Sequence, residues 1–340
     1  MKKRLLFVST MMLMAIGCLT GCSQKETIVL CGTMEDERIA FIQGLLNEKF
    51  PEYNIVIQYN GTGSMVSKFQ GEGLNTDIDI IYEIEANSVE IISQSHKDMF
   101  YDMKEYDFSK FNDSAISYGH KRYAPECFTY GAIAINKKVL SDKGIAIPQT
   151  YDDLIKPEYK GLIEMPNPKS SGTGYLYYNG IVSYLLDKYE GDKKRAIEET
   201  LAYFDELNKN VKEFTTSGLT PIKSVDRGEV AIGFANLYQC VEFMRNNSDL
   251  DYTFLDYGAP SNLYVSAIIN GHEKRESVKK VWTYIFDEVN QKQVEKFIPD
   301  PLYKNMQPED PNYPTEIKAI KMNGLFDPTY KQELLDLWRL

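Results

Sequence analysis

The sequence predicts an α/β protein of two lobes, each a mainly parallel sheet flanked by helices, with two strands crossing between them. Three observations carry that expectation. Apolar strand candidates alternate with amphipathic helical runs over residues 27–82 in the order β-α-β-α-β, which argues for parallel strands with helices on both faces. Two further β-like runs, 132–136 and 263–270, bracket the middle of the chain, as crossover strands would. Two loops rich in Gly, Ser and Thr each stand between a strand and a helix, one in each half of the chain. A chain of 340 residues with 43% hydrophobic content is long and apolar enough for a core in each lobe.

Residues 27–31 read as a short strand, and Thr33 followed by Asp36 opens a helix with Ile39, Ile42, Leu45, Leu46 and Phe50 on one face. The strand 54–59 leads through Gly61-Thr62-Gly63-Ser64 into a short helix with Met65, Val66 and Phe69 inward, then to a strand at 78–82. Residues 84–100 read as a helix and 101–121 as polar, aromatic surface. The strand 162–165 feeds the turn 166–169 and then Ser170-Ser171-Gly172-Thr173-Gly174-Tyr175, which opens a helix carrying Leu176, Gly180, Ile181, Tyr184 and Leu185 on one face. A second amphipathic helix starts beyond Gly191-Asp192, a third hydroxyl-rich turn lies at 215–218, and a strand at 229–234 precedes the loop Ala235-Asn236-Leu237-Tyr238. A helix at 278–286 and a Pro-rich tail, helical over 330–338, complete the chain. On this reading 22–130 with 260–298 form the first lobe, 131–259 the second, and 299–340 a helical tail packing on both.

The N-terminus constrains where the protein works. Lys2, Lys3 and Arg4 precede an apolar run at 5–16, too short to span a bilayer as a mature helix, so residues 1–21 read as an export signal. Leu19-Thr20-Gly21-Cys22 resembles the bacterial lipobox, and that resemblance implies that Cys22 becomes a lipid-bearing N-terminus on the outer face of the membrane. Loss of the three positive charges takes the net charge from −11 to −14, a surface that repels phosphate backbones and argues against a nucleic-acid partner. Cys31, Cys127 and Cys240 remain, an odd number with no Cys-x-x-Cys pair, so they read as buried core residues rather than disulfides or metal ligands.

The two Gly/Ser/Thr corners carry the chemistry. Unpaired N–H groups at a helix start, hydroxyl donors and glycines that admit close approach make an anion site, whereas a single such loop is more often an ordinary capped turn. Two of them suggest one ligand clasped from both sides. At the carboxyl ends of the strands lie Thr33 and Met34, which either cap the first helix or touch ligand, and Glu83. A carboxylate beside an oxyanion is repulsive, so Glu83, and likewise Glu126, either points away to solvent or meets a ligand ammonium. Tyr130, Tyr175 and Tyr238 could cover a ligand segment, and Asn236 is a side-chain partner for an oxyanion or hydroxyl; among 24 tyrosines, plain packing competes for each. No Gly-x-Ser-x-Gly elbow, His-Glu-x-x-His or Gly-Lys-Ser/Thr phosphate loop argues for an enzyme. No cofactor, catalytic residue or metal is expected, and the competing class is a lipid-anchored hydrolase of phosphorylated compounds.

Residues 151–154 with 157–161, the segment 166–175, the run Asp226-Arg227-Gly228-Glu229-Val230-Ala231-Ile232-Gly233 and the ending 322–327 resemble extracellular solute-binding proteins of ABC importers with the type II periplasmic-binding-protein fold. The resemblance spans nearly all of the chain after Cys22. It implies a monomer that captures a small solute between its lobes and delivers it to a membrane permease, or presents it to a membrane sensor. Within that superfamily the chain is most similar to the branch of ferric-iron, thiamine, polyamine, 2-aminoethylphosphonate and sugar-phosphate binders. The paired corners are closest to members that hold a phosphonate or phosphate, and Glu83 or Glu126 would select a zwitterion such as 2-aminoethylphosphonate. Iron binders of the branch use neighbouring tyrosines where this chain has Asn236-Leu237-Tyr238-Gln239, and His96, His120 and His272 fall away from the expected site.

Overall fold

The computed structural model describes residues 25–298, 302–304, 306 and 310–340; the segment read as an export signal and Cys22 lie outside the described residues. Strand β1 (Thr27–Gly32) lies parallel to β2 (Asn54–Tyr59) on one side and to β3 (Ile80–Glu85) on the other. The connecting helices α1 (Asp36–Lys49) and α2 (Thr62–Glu72), with α3 (Ala86–Ser95), turn Ile42 and Leu46, Met65 and Phe69, and Val89 and Ile92 into one apolar cluster with Leu30, Ile80 and Ile81. This parallel βαβαβ unit is the one that the alternating pattern predicts.

The long strand β4 (Ala124–Asn136) joins the lobes. As far as Tyr130 it pairs antiparallel with β9 (Ser261–Ile268), which in turn pairs antiparallel with β3. From Gly131 onward it pairs instead with β7 (Ile232–Asn236), and over Ile133 to Asn136 also with β8 (Leu250–Thr253). Strand β5 (Ile163–Pro166) lies parallel to β7 and to β6 (Val211–Thr215), so the sheet order is β2-β1-β3-β9-β4-β7-β5-β6 with β8 beside β4. Around it lie α4 (Lys137–Asp142), α5 (Gly172–Lys188), α6 (Lys193–Leu207), α7 (Thr220–Asp226), α8 (Leu237–Met244), α9 (Glu276–Tyr284), α10 (Asn290–Phe297) and α11 (Pro328–Leu337). A second apolar cluster holds Ile133, Ile163 and Met165 together with Tyr178, Phe204, Leu334 and Trp338, so the tail helix packs into the second lobe.

Several elements differ from the expectation. β4 starts at Ala124 rather than 132, because Pro125, Glu126 and Thr129 interrupt the apolar run, yet Glu126 and Thr129 are buried by tertiary partners. β6 and β8 escaped notice because they are short and only half covered, which leaves no clean alternation to read. Residues 101–121 are not mere surface: Tyr106, Phe108 and Phe111 are buried and meet Phe286 at ring-centroid distances of 5.0, 5.4 and 5.8 Å. The three cysteines are free and buried, as their apolar surroundings suggest.

Where β4 changes partner the backbone is tight. Gly131 N–H donates to Pro260 O at 2.8 Å, and a Cβ on Gly131 would fall 2.9 Å from both Pro260 Cγ and Tyr177 Cζ. Because a proline ring and a buried tyrosine yield little, Gly131→Ala should destabilise the protein by about 1–3 kcal/mol. An unchanged urea midpoint in that variant would contradict the tight crossing.

Candidate functional site

The two glycine corners meet. α2 starts at Thr62 with Gly61 as its N-cap, and α5 starts at Gly172 with Ser171 as its N-cap, the Ser171 hydroxyl accepting from Gly174 N–H at 3.5 Å. Gly63 N–H donates to Ser170 O at 3.5 Å, and a Cβ on Gly63 would stand 2.5 Å from Lys169 O, so only bare backbone allows this approach. Between the corners is a cavity of about 40 Å³, walled by Thr33, Gly61, Thr62 and Glu83 from one lobe and by Ser170, Ser171, Gly172, Thr173, Asn236 and Tyr238 from the other. That volume holds about three water positions. Both helix starts border it, which brings their partial positive charge to its wall. Thr173 Oγ1 accepts from Asn236 Nδ2 at 3.2 Å, which fixes the hydroxyl beside the cavity.

Its floor is a buried ionic cluster on Arg38, which is fully covered. The guanidinium reaches Glu35 at 3.3 Å, Glu83 at 2.5 Å and Glu126 at 3.1 Å, and its Nε donates to Gln293 Oε1 at 3.1 Å. Thr33 Oγ1 donates to Glu83 Oε1 at 2.9 Å, while Glu35 Oε1 accepts from Gln239 Nε2 at 2.8 Å and from the Tyr238 hydroxyl. Three buried carboxylates therefore face one buried cation. Burial pushes the Glu83 carboxyl well above the usual range against the pull of Arg38, and burial raises Glu126 in the same way. Burial opposes the charge on Arg38, but Glu83, Glu126 and Glu35 overcome it and hold the guanidinium protonated. Glu83 itself has φ of 75°, in the left-handed region, at a register shift between Tyr82 and Ile84. The bulge aims its carboxyl at Arg38 and the cavity.

Some expected site residues lie elsewhere. Met34 is completely buried in the first apolar cluster, because the chain turns it under β1 rather than toward the opening. Glu126 does not line the cavity; it is buried behind Glu83, accepting from Arg38 and, at 2.6 Å, from Gln293. Tyr130 packs edge-on against Phe128 at 5.4 Å, Ser64 is exposed on α2, and Gly174 sits against Pro166 O inside the first turn of α5. Tyr175 is buried with Lys331 above its ring at 4.6 Å. Gly63 lines a second, neighbouring cavity of about 280 Å³.

Sequence reasoning missed Glu35, Arg38, Tyr59, Thr216, Gln239 and Tyr264. Of these, all but Arg38 line the first cavity. The i, i+3 pair Glu35 and Arg38 at the start of α1 was the available signal; charged residues there ordinarily face water. Glu83, Glu126 and Cys127 present atoms within 4.8 Å of one another, the spacing of a metal site. Arg38 already occupies both carboxylates, so the set does not fit a bound cation.

The geometry is that of a two-lobed binding protein whose lobes meet around a small polar cavity. A family model described as bacterial extracellular solute-binding protein matches residues 75–322, and the chain belongs to that family. An uncharacterized protein of Haemophilus influenzae is 26% identical over 226 residues, 65% of this chain and 61% of its own length. The fold is similar to that of AfuA from Actinobacillus pleuropneumoniae, solved with exogenous fructose-6-phosphate, at TM-score 0.78 and 19% identity over 93% of this chain and 98% of AfuA. It is also similar to iron-bound HitA from Pseudomonas aeruginosa (TM-score 0.71, 18% identity, 92% and 98%) and to a periplasmic thiamin binding protein (TM-score 0.71, 14% identity, 94% and 97%). The family and these similar structures are binding proteins, not enzymes. Among the described residues no helix is long and apolar enough to cross a membrane.

Beside the cluster, burial and the neighbouring carboxylates of Glu37 and Glu35 push the Glu242 carboxyl up to about 8. A carboxyl raised by folding adds stability below its unfolded value of 4.5 and loses it as pH climbs through about 8. The melting temperature of the unliganded protein should therefore fall across that range, and Glu242→Gln should remove this share of the fall. Parallel curves for variant and parent would contradict a raised Glu242 carboxyl.

Proposed function

We propose that this protein captures a small phosphonate- or phosphate-bearing solute between its lobes and delivers it to an ABC permease, anchored by a lipid on Cys22 to the outer face of the bacterial cytoplasmic membrane. The observation that carries the reading is the convergence of two hydroxyl-and-glycine helix starts on one small polar cavity. The lobes, residues 22–130 with 260–298 and 131–259, move about the crossings at Tyr130–Gly131 and Pro260–Ser261, and closure is driven by contacts made only when both corners touch the ligand. The excess of carboxylate around Arg38, with Glu35 and Glu83 lining the cavity, favours a ligand that brings its own positive charge, as 2-aminoethylphosphonate does. A sugar phosphate is the second reading, favoured by the uncharged Thr216, Asn236 and Gln239 in the wall and by the ligand of AfuA.

Calorimetry against 2-aminoethylphosphonate, ethylphosphonate, glucose 6-phosphate, ferric iron, thiamine and spermidine separates these readings. Aminophosphonate should bind at least about tenfold tighter than ethylphosphonate, one ammonium contact's worth of free energy. Equal affinities would remove the zwitterion, and binding of iron, thiamine or spermidine alone would remove the oxyanion. Gly63→Ala places a methyl against Lys169 O only when the lobes are together. It should weaken phosphonate binding by about ten- to a hundredfold with the unliganded melting temperature unchanged; unaltered affinity would mean the corners do not close on the ligand.

A further inference from the structure

We infer that the C-terminal helix carries a positioning residue, Lys331, that fastens the lobes together by reaching across the cleft to Glu85; this rests on the reading that ligand is held by closing lobes. α11 runs beside α3 of the first lobe while its apolar side chains and outer charges engage the second. Leu334 and Trp338 lie in its apolar cluster, Glu333 pairs with Lys193 at 2.5 Å, Arg339 pairs with Asp205, and Leu340 O accepts from Asn167 Nδ2 at 3.2 Å. Lys331 points the other way, into the start of α3 in the first lobe. Its ammonium donates to Ser88 Oγ at 2.6 Å and Asn87 Oδ1 at 3.1 Å and stands 3.9 Å from Glu85 Oε1. Both charged groups are buried, Lys331 at 3% exposure and Glu85 at 0%.

Glu85 connects this contact to the ligand corner. Its Oε2 accepts from Ser88 Oγ at 3.3 Å, and its Oε1 lies so near Gly172 that a Cβ there would come within 1.9 Å. Gly172 opens α5, and one turn along, the Tyr175 ring supports the Lys331 ammonium. Tail, first lobe and oxyanion corner thus share one buried charge pair. The 280 Å³ cavity alongside, which Lys331 and Glu85 help to line, is not a second ligand site on this reading. The Lys331 ammonium donates to Ser88 Oγ and Asn87 Oδ1, and its charge is set against the Glu85 carboxyl 3.9 Å away.

The energetics make the pair specific to the closed form. When the lobes part, ammonium and carboxylate both regain water; when they close, each is desolvated and tolerable only because of the other. Removing one partner penalises closure, and removing both relieves most of the penalty.

The test uses the mature chain and its Lys331→Met, Lys331→Arg and Lys331→Met/Glu85→Gln variants. Affinities for ethylphosphonate, 2-aminoethylphosphonate and glucose 6-phosphate are measured by calorimetry, and lobe separation, with and without them, by pulsed electron spin resonance between labels at Glu48→Cys and Lys194→Cys. Lys331→Met should weaken every probe that binds by a similar factor, about ten- to a hundredfold, and shift the distances toward the parted form. Lys331→Arg and the double variant should recover most of both. A lower melting temperature with unchanged affinity and distance would mean a merely structural residue, and a loss confined to glucose 6-phosphate would mean a ligand subsite; either overturns the inference. If no probe binds the parent protein, the oxyanion reading fails, and the lobe distances still decide the role of Lys331.

Discussion

Arg38 is the group on which the cleft depends. A guanidinium without water must be matched by anions, and here Glu35 comes from the start of α1, Glu83 from the bulge in β3 and Glu126 from β4. One side chain thereby fixes the relative positions of three elements under the opening. Through Glu35 the constraint passes to the second lobe, since the same carboxylate accepts from Tyr238 and Gln239 at the start of α8. A buried pair of this kind contributes little net stability compared with apolar packing, and its value lies in specifying one arrangement.

The cavity above inherits two opposed electrostatic demands. Helix starts and hydroxyls on its walls favour an anion, while surplus carboxylate in its floor disfavours one. The conflict is resolved if positive charge enters as well, either as a ligand ammonium or as a proton on a carboxyl that burial already holds above the usual range. On the proposed oxyanion reading, an acidic floor beneath two helix starts discriminates among phosphorylated solutes by what lies beyond the phosphorus. The tail adds a second seam of the same kind, with Lys331 and Glu85 where the cleft has Arg38 and its glutamates.

Legibility followed local physics. The βαβαβ unit was visible because buried parallel strands are uninterrupted apolar runs, and both glycine corners were visible because glycine and hydroxyl residues at a strand-to-helix turn have a local chemical meaning. Thr33, Gly61, Thr62, Glu83, Ser170 to Thr173, Asn236 and Tyr238 accordingly lie around one cavity. Met34, Glu126 and Tyr175 do not, because each was placed by its neighbour in the chain, and side-chain direction turns over between successive residues of a strand and every hundred degrees around a helix. β6 and β8, edge strands with half-exposed faces, had too little alternation to read.

The amino-acid sequence by itself determined which segments become strands and helices and which turns expose unpaired N–H groups, since those follow from interactions within a few residues. Only the tertiary structure decided that the two corners share a cavity, that Arg38 lies beneath it and that Lys331 crosses the seam. Those outcomes depend on contacts between residues up to 255 positions apart, as between Arg38 and Gln293. A charged side chain carries no local mark of whether it will face water or a buried partner, because its ionisation and its neighbours are settled together when the chain closes around it.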